Sequence, residues 1–179
     1  PGDTILAMGL NEGGHLSHGA KFHESGKRYK VIHYGVHKDT EQIDYQEIEE
    51  LALRYRPKLI ICGASSYPRN IDFCQFSKIA KCVDALLWAD IAHTVGLIAA
   101  GLVPSPLPHA DFVTSSTHKT WRGPRGGAII LCREEWAKKI DRAVFPGFQG
   151  APKMDLIAAR ATFFKEVMTK EFCAYAGQV

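Results

Sequence analysis

Lys119 is the residue of this sequence best placed for covalent chemistry. It lies between His118 and Thr120, directly before the run W-R-G-P-R-G-G, whose glycines let a backbone approach a ligand closely. A lysine amine becomes a nucleophile where burial or a neighbouring cation disfavours its protonated form. A solvated surface position is the more common one for a lysine taken alone, but the hydroxyl and imidazole neighbours favour a reactive amine here.

A carboxylate and an imidazole follow the apolar run 85–89, in the tetrapeptide D-I-A-H from Asp90 to His93. Such a carboxylate can hold a positive charge on a bound ring, and the imidazole can move a proton near neutral pH. The alternatives are a helix cap for Asp90 and a hydrogen-bonded core position for His93 or His15. His15 and His18 are spaced i, i+3 without carboxylate or thiolate companions, so we assign no metal site.

These residues follow segments that alternate between strand and helix patterns. Residues 29–34 and 59–62 are short runs rich in β-forming residues, and each precedes an amphipathic helix that begins after an aspartate, Asp44 or Asp72. Pro57 ends the first of these helices. The same criteria predict further strands at 85–89, 110–114 and 127–132 and helices at 134–142 and 152–175.

Strands that alternate with helices at this spacing predict an α/β fold with a mostly parallel sheet covered on both faces. Ligands of such sheets collect at the carboxyl ends of the strands. The polar clusters 65–67, 90–93 and 115–119 come directly after predicted strands, so we expect them to converge on one crevice. Neither G-x-G-x-x-G nor G-x-x-x-x-G-K-[ST] is present, which leaves dinucleotide and P-loop sites without their fingerprint.

Composition narrows the class of protein. The 179 residues are 46% hydrophobic and 23% charged, with a net charge of +3, and they lack the basic runs of nucleic-acid or membrane-surface binding proteins. The longest apolar stretch, Val95 to Val103, is shorter than a membrane span of about 20 residues.

Five cysteines without a C-x-x-C pair favour a reducing cytoplasm. The first residues show no signal-peptide pattern, and both ends suggest a fragment or processed chain of a larger protein.

The segment S-S-T-H-K-T-W-R-G-P-R-G-G closely resembles the pyridoxal-phosphate lysine motif of the serine hydroxymethyltransferase family. Other motifs resemble landmarks of that family in the same order, namely G-G-H-L-S-H-G, D-Y-Q-E-I-E, S-S-Y-P-R, D-I-A-H-T-V-G-L-I-A-A-G and V-F-P-G-F-Q-G-A-P. The resemblance implies a fold-type I pyridoxal-phosphate-dependent transferase, with residues 1–179 forming most of its large cofactor-binding domain. Residues 152–179 would lead towards a C-terminal small domain, and the large domain would be truncated at both ends.

Matching these motifs residue by residue implies a cofactor site. Lys119 would form the Schiff base with the cofactor aldehyde. Asp90 would pair with the protonated pyridine nitrogen, which keeps the ring an electron sink. His15 would stack on the ring, His93 would approach its 3-oxygen, and His118 would lie near the phosphate and the lysine. The resemblance therefore assigns catalytic roles to Lys119, Asp90, His93 and His118.

The resemblance also implies contacts around the ring and on the substrate side. Ser65 would lie near the cofactor ring, and Ser116 keeps a hydroxyl where the family often has threonine. Arg125 would hold the active-site loop and tune the lysine, and an exposed salt bridge is the alternative for this arginine. Leu10 and Gly14 would offer backbone contacts to the folate pteridine.

The motif F-P-G-F-Q-G would reach across a dimer interface, so that the backbone N–H of Gly150 binds the phosphate of the neighbouring subunit's cofactor. We therefore expect a homodimer or a dimer of dimers with shared active sites. Ala151 departs from the family because it replaces the second glycine of Q-G-G-P. Its Cβ disfavours a positive φ, so we expect a looser approach to the phosphate, although Gly150 keeps its own freedom.

These matches imply reversible transfer of the serine hydroxymethyl group to tetrahydrofolate, giving glycine and 5,10-methylenetetrahydrofolate, without a nucleic-acid or membrane partner. Another fold-type I enzyme, such as a threonine aldolase or an aminotransferase, shares the aspartate and lysine spacing but not T-H-K-T-W-R-G-P-R-G-G. A truncated non-catalytic module is the alternative outside the enzymes. The family's substrate-carboxylate arginine, its catalytic glutamate and one phosphate contact would lie outside residues 1–179, so we expect negligible turnover from these residues alone.

Overall fold

Six strands form one sheet in the computed structural model, which describes all 179 residues. Their order across the sheet is β2-β1-β3-β4-β5-β6, and the pairs β1–β2, β1–β3 and β3–β4 are parallel. The prediction of an α/β fold with a mostly parallel sheet is therefore confirmed. The strands are β1 Thr4–Met8, β2 Lys30–Tyr34, β3 Leu59–Gly63, β4 Leu86–Asp90, β5 Phe112–Ser116 and β6 Ala128–Cys132.

Helices and short helical turns connect the strands. The α-helices are α1 Glu24–Arg28, α2 Tyr45–Tyr55, α3 Phe73–Cys82, α4 Val95–Ala99, α5 Glu134–Arg142, α6 Met154–Val167 and α7 Lys170–Gln178. Two 3₁₀ turns, Leu10–Glu12 and Leu16–His18, follow β1, and a π-helical segment, Ala143–Phe148, follows α5. None of these helices has both the length and the apolar character needed to cross a bilayer.

The chain divides into two compact units. The first unit contains residues 1–91 and 104–113, and the second contains residues 92–103 and 114–179. Strands β1 to β4 and helices α1 to α3 belong to the first unit, whereas β6 and helices α4 to α7 belong to the second.

The first unit contains most of the buried side chains. Parallel strands covered on both faces read as continuous apolar runs, and Ile60, Cys62 and Leu87 on β3 and β4 are at most 1% exposed. Burial raises the pKa of the Cys62 thiol well above its usual range, so this cysteine stays protonated and acts as a small apolar residue. Ile48 of α2 and Phe76 of α3 complete this core.

The predicted starts of α2 and α3 are confirmed together with their caps. The Asp44 carboxylate accepts a hydrogen bond from the backbone N–H of Glu47, and the Asp72 carboxylate accepts one from Gln75, both at 3.0 Å. An aspartate at this position satisfies an N–H group that the first helical turn would leave without a partner.

The second unit is held by aromatic contacts between its helices and the glycine-rich segment. The Trp121 ring meets Phe163 and Phe164 of α6 edge-on, at centroid distances of 5.6 and 5.5 Å. Phe163 and the α7 residue Phe172 are buried. Helix α6 thus packs through one end of its apolar face against the segment that follows Lys119.

The prediction of a single helix over residues 152–175 is wrong, because α6 ends at Val167 and α7 begins at Lys170. Thr169 separates them as the N-cap of α7. Its hydroxyl oxygen accepts the N–H of Phe172 at 3.3 Å, and its hydroxyl donates to the Glu166 carbonyl at 2.7 Å. A threonine side chain that bonds to nearby backbone competes with a continuous helix. The buried strand β1 and the five-residue helices α1 and α4 were not predicted from the sequence.

We predict that Thr169→Ala lowers the free energy of unfolding by about 1 kcal/mol, because alanine cannot cap α7. Chemical denaturation monitored by circular dichroism measures this change. Thr162→Ala is the matched control, since Thr162 lies inside α6 and its hydroxyl bonds only to the Ala158 carbonyl. The control should change stability by less than about 0.5 kcal/mol, and equal losses in both variants would contradict a capping role.

Candidate active site

Asp90 lies at the carboxyl end of β4, beside the end of β3. Gly63 is its registered partner on β3. A Cβ on Gly63 would collide with the Asp90 carbonyl oxygen, and Gly63 has φ +153°. Only glycine fits this close approach without strain. The ends of β3 and β4 are therefore side by side, as the sequence predicted, and the segment 64–67 begins next to Asp90.

His18 is the residue that holds the Asp90 carboxylate. Its Nε2 lies 2.9 Å from Asp90 Oδ2, and its side chain is only 1% exposed. The backbone N–H of His15 donates to His18 Nδ1 at 3.4 Å, so Nδ1 accepts and Nε2 carries the proton. The imidazole thus donates a hydrogen bond to the carboxylate and fixes its orientation.

Sequence reasoning missed His18, although it lies in the same G-G-H-L-S-H-G motif that drew attention to His15. The signal was its position three residues after His15, which the sequence analysis weighed only for a metal. His18 also contacts Trp88 of β4 edge-on, with ring centroids 5.6 Å apart. No group of three or more His, Cys, Asp or Glu side chains in the chain is arranged to hold a metal ion.

His15 has an exposed ring at the start of the 3₁₀ turn Leu16–His18. Its Nδ1 accepts the backbone N–H of Ser17 at 3.2 Å and lies 2.7 Å from the Ser17 hydroxyl. The contact with Ser17 fixes one edge of the ring. The structure places His15 next to His18, at a centroid distance of 5.6 Å.

The Gly13-Gly14 turn connects this motif to the serine segment after β3. The Gly13 carbonyl accepts N–H groups from Ser65 at 2.7 Å and Ser66 at 3.2 Å. A Cβ on Gly14 would collide with the Met8 carbonyl oxygen, so this glycine accommodates the chain's own backbone. The Ser65 hydroxyl oxygen is buried without a hydrogen-bond partner, which leaves a polar atom that a bound ligand can satisfy.

In the second unit, Lys119 Nζ lies 3.0 Å from His93 Nε2. Two nitrogens at this distance need one donor and one acceptor, so one of the two groups must offer a lone pair. An amine that can pass a proton to an adjacent imidazole can act as a nucleophile. The pairing of these two predicted residues is the central feature of this unit.

Thr120 fixes the backbone on both sides of that pair. Its hydroxyl donates to the His93 carbonyl and accepts the N–H of Gly96, both at 3.0 Å. A Cβ on Gly96 would collide with the Thr120 carbonyl oxygen. The residue after Lys119 is therefore tied to the segment that carries His93, a role that the sequence analysis did not assign to Thr120.

Thr117, which follows the end of β5, joins this strand end to the glycine-rich segment by hydrogen bonds. This residue is fully buried, its hydroxyl donates to the Pro124 carbonyl at 2.7 Å, and its carbonyl accepts the N–H of Gly123 at 2.7 Å. The neighbouring Ser116 hydroxyl oxygen is buried and has no hydrogen-bond partner. Ser116 thus matches Ser65 as a polar group available to a ligand.

The remaining predicted residues do not bond to Lys119. His118 is exposed and lines a cavity of about 780 Å³ together with Gln149 and Arg160. Arg125 is exposed and takes part in no ion pair, so the salt bridge considered as its alternative is absent. Leu10, in the first unit, is 42% exposed.

The segment that contains Gly150 is exposed, and a Cβ on Gly150 would meet only the Phe145 ring, at 3.9 Å. Ala151 has φ +48°. The backbone at this position therefore keeps the left-handed conformation that glycine favours, even though the residue is alanine. The conflict between the Cβ and a positive φ, expected from the sequence, is therefore present at Ala151.

Comparisons with known proteins give one consistent result. A family model described as "Serine hydroxymethyltransferase" matches residues 1–179, the whole chain. A serine hydroxymethyltransferase of Myxococcus xanthus (strain DK1622) is 55% identical over 179 residues, which make up 100% of this chain and 43% of that protein. The chain thus spans less than half of the length of this curated relative.

We predict that Ala151→Gly raises the free energy of unfolding by roughly 0.5–1 kcal/mol. Relief of the left-handed alanine contributes about 1–2 kcal/mol, and the greater entropy of glycine in the unfolded chain offsets about half of that. Urea denaturation measures the difference. Ala159→Gly, inside α6, is the control and should lower stability by about 1 kcal/mol; a loss of stability in Ala151→Gly would show that the positive φ carries no strain.

Proposed function

The chain belongs to the serine hydroxymethyltransferase family, and on that premise we propose that the intact protein transfers the hydroxymethyl group of serine to tetrahydrofolate. The products are glycine and 5,10-methylenetetrahydrofolate, and the cofactor is pyridoxal phosphate. The observation that carries this proposal is the 3.0 Å contact between Lys119 Nζ and His93 Nε2 within the matched motifs. Because the chain spans 43% of the relative, the proposal concerns the protein that contains this chain.

The residue types of the matched motifs fit pyridoxal phosphate. The cofactor needs an amine for its aldehyde, an anion for its ring nitrogen and hydrogen-bond donors for its oxygens. Lys119 would supply the amine and Asp90 the anion, while the Ser65 and Ser116 hydroxyls, buried without partners, would supply donors. When bound, the cofactor withdraws electrons from the α-carbon of the substrate.

Lys119 would bind the cofactor aldehyde through Nζ. A protonated amine has no lone pair for that bond, so a proton must first leave it. His93 Nε2, at 3.0 Å, is placed to accept this proton. Thr120 would keep the two nitrogens at this distance through its bonds to the His93 carbonyl and the Gly96 N–H.

Asp90 would hold the positive charge on the ring nitrogen. His18 donates to Oδ2 of its carboxylate. A hydrogen bond to a carboxylate favours its ionised form. His18 would therefore act as a positioning residue for Asp90, and His15, three residues earlier, would present its exposed ring to the cofactor.

The other family roles are also part of the proposal. His118 would lie near the cofactor phosphate, Arg125 would hold the active-site loop, and the backbones of Leu10 and Gly14 would contact the folate. Gly150 would serve the cofactor of a second subunit, in a dimer or a dimer of dimers. A cytoplasmic location agrees with five cysteines that are all free thiols.

We predict that borohydride reduction of the intact protein loaded with pyridoxal phosphate labels Lys119, because this lysine has a proton acceptor beside its amine. Peptide mapping by mass spectrometry identifies the labelled residue. Lys138 and Lys153 serve as internal controls, and a label on either of them in place of Lys119 would refute the assignment of Lys119 and His93.

We further predict that Asp90→Asn in the intact protein reduces the rate of glycine formation from serine by about 10²-fold or more, because an amide carries no charge to hold the ring proton. Stopped-flow single turnovers measure this rate. Asp39→Asn removes an exposed carboxylate and is the control for net charge. A rate for Asp90→Asn within threefold of the unmodified protein would mean that another group controls the ring.

A further inference from the structure

Residues 119–122 form a tight turn directly at the reactive lysine. The backbone N–H of Arg122 donates to the carbonyl of Lys119 at 2.9 Å. This hydrogen bond links the conformation of Arg122 to the backbone that carries the Lys119 side chain. The conformation of this turn therefore affects the position of the Lys119 backbone, whatever ligand the amine binds.

Arg122 occupies a backbone conformation that opposes its own residue type. Its φ is +62°, in the left-handed region, which costs an L-residue with a Cβ about 1–2 kcal/mol. Glycine or asparagine is the usual residue in this region. An arginine in this conformation indicates that its side chain makes a stabilising contact that glycine or asparagine cannot make.

The contribution of the side chain is a contact with α7. The Arg122 guanidinium carbon lies 4.5 Å from the centroid of the Tyr175 ring, within the range of a cation–π interaction. The guanidinium forms no ion pair and no hydrogen bond within the chain. The ring of Tyr175 is thus the group that holds it in place.

The residues on either side of Arg122 are held by α6. Trp121 packs edge-on against Phe163 and Phe164, and a Cβ on Gly123 would come within 2.9 Å of the Phe163 ring. The three consecutive residues 121–123 therefore contact aromatic rings of the two C-terminal helices, α6 and α7. The polar member of this set, Arg122, is the one that bonds back to Lys119.

We propose that Arg122 is a positioning residue for Lys119, and that Tyr175 keeps it in its strained conformation, so that α7 sets the geometry of the lysine turn. This inference rests on the proposed role of Lys119 in binding pyridoxal phosphate. Loss of the cation–π contact frees the turn to relax, and the Lys119 amine then moves away from His93.

The test compares four variants of the intact protein loaded with pyridoxal phosphate. Tyr175→Leu removes the ring face and keeps apolar volume, whereas Tyr175→Phe keeps the face. Arg122→Gly removes the guanidinium and the backbone strain together, whereas Arg122→Lys keeps a cation. Three quantities are measured for each: cofactor affinity, the pH dependence of the visible absorbance of the lysine-bound cofactor, and the thermal midpoint.

We expect Tyr175→Leu and Arg122→Gly to weaken cofactor affinity about two- to fivefold and to shift the pH profile of the absorbance. Tyr175→Phe and Arg122→Lys should resemble the unmodified protein in both measurements. Arg122→Gly should keep or raise the thermal midpoint, because glycine adopts the left-handed conformation freely. A purely structural role predicts instead that affinity and stability fall together.

An unchanged affinity and pH profile in both Tyr175→Leu and Arg122→Gly would overturn the inference while leaving the proposed function intact. If Tyr175→Leu does not fold, the pair Arg122→Gly and Arg122→Lys decides the question alone. Failure of the unmodified protein to bind the cofactor at Lys119 would refute the proposed function itself, and this inference with it.

Discussion

A carboxylate at the end of a buried parallel strand needs a hydrogen-bond donor, and the requirement at Asp90 organises the first unit. The donor is His18, which lies 72 residues earlier in the chain and is almost completely buried. To bring it there, the chain after β1 must turn back through Gly13 and Gly14, and the Gly13 carbonyl binds the segment after β3. The contact between His18 and Asp90 thus constrains the paths of the loops that follow β1 and β3.

Close backbone approach is the means by which both units achieve these contacts. Gly63 adjoins the Asp90 carbonyl, Gly14 adjoins the Met8 carbonyl, and Gly96 adjoins the Thr120 carbonyl, each at a distance that leaves no space for a Cβ. Side chains at these positions would push apart the strand ends and turns that carry the polar groups. Gly14, which the sequence suggested for contact with a ligand, therefore serves first to bring protein segments together.

The second unit secures the backbone on both sides of Lys119, whose amine contacts His93. Buried Thr117 secures the strand end before it, Thr120 joins the residue after it to His93, and the helices α6 and α7 hold the turn that follows. Aromatic packing and a cation–π contact join these helices to the turn. The amine itself bonds to His93, and the proposed role of Lys119 rests on this contact.

The sequence by itself determined the residue types of the site, the α/β class, most of the strands and the capped starts of α2 and α3, since periodicity and capping act over a few residues. The family resemblance, carried by contiguous motifs, is confirmed by the comparisons. The break between α6 and α7 was missed because the apolar pattern runs through it and one threonine side chain decides it. Only the tertiary structure selected His18 as the partner of Asp90, Thr120 as the link to His93 and Tyr175 as the support of Arg122. These contacts join residues 27 to 72 positions apart, and their formation depends on how strands and helices pack, which no local pattern in the sequence encodes.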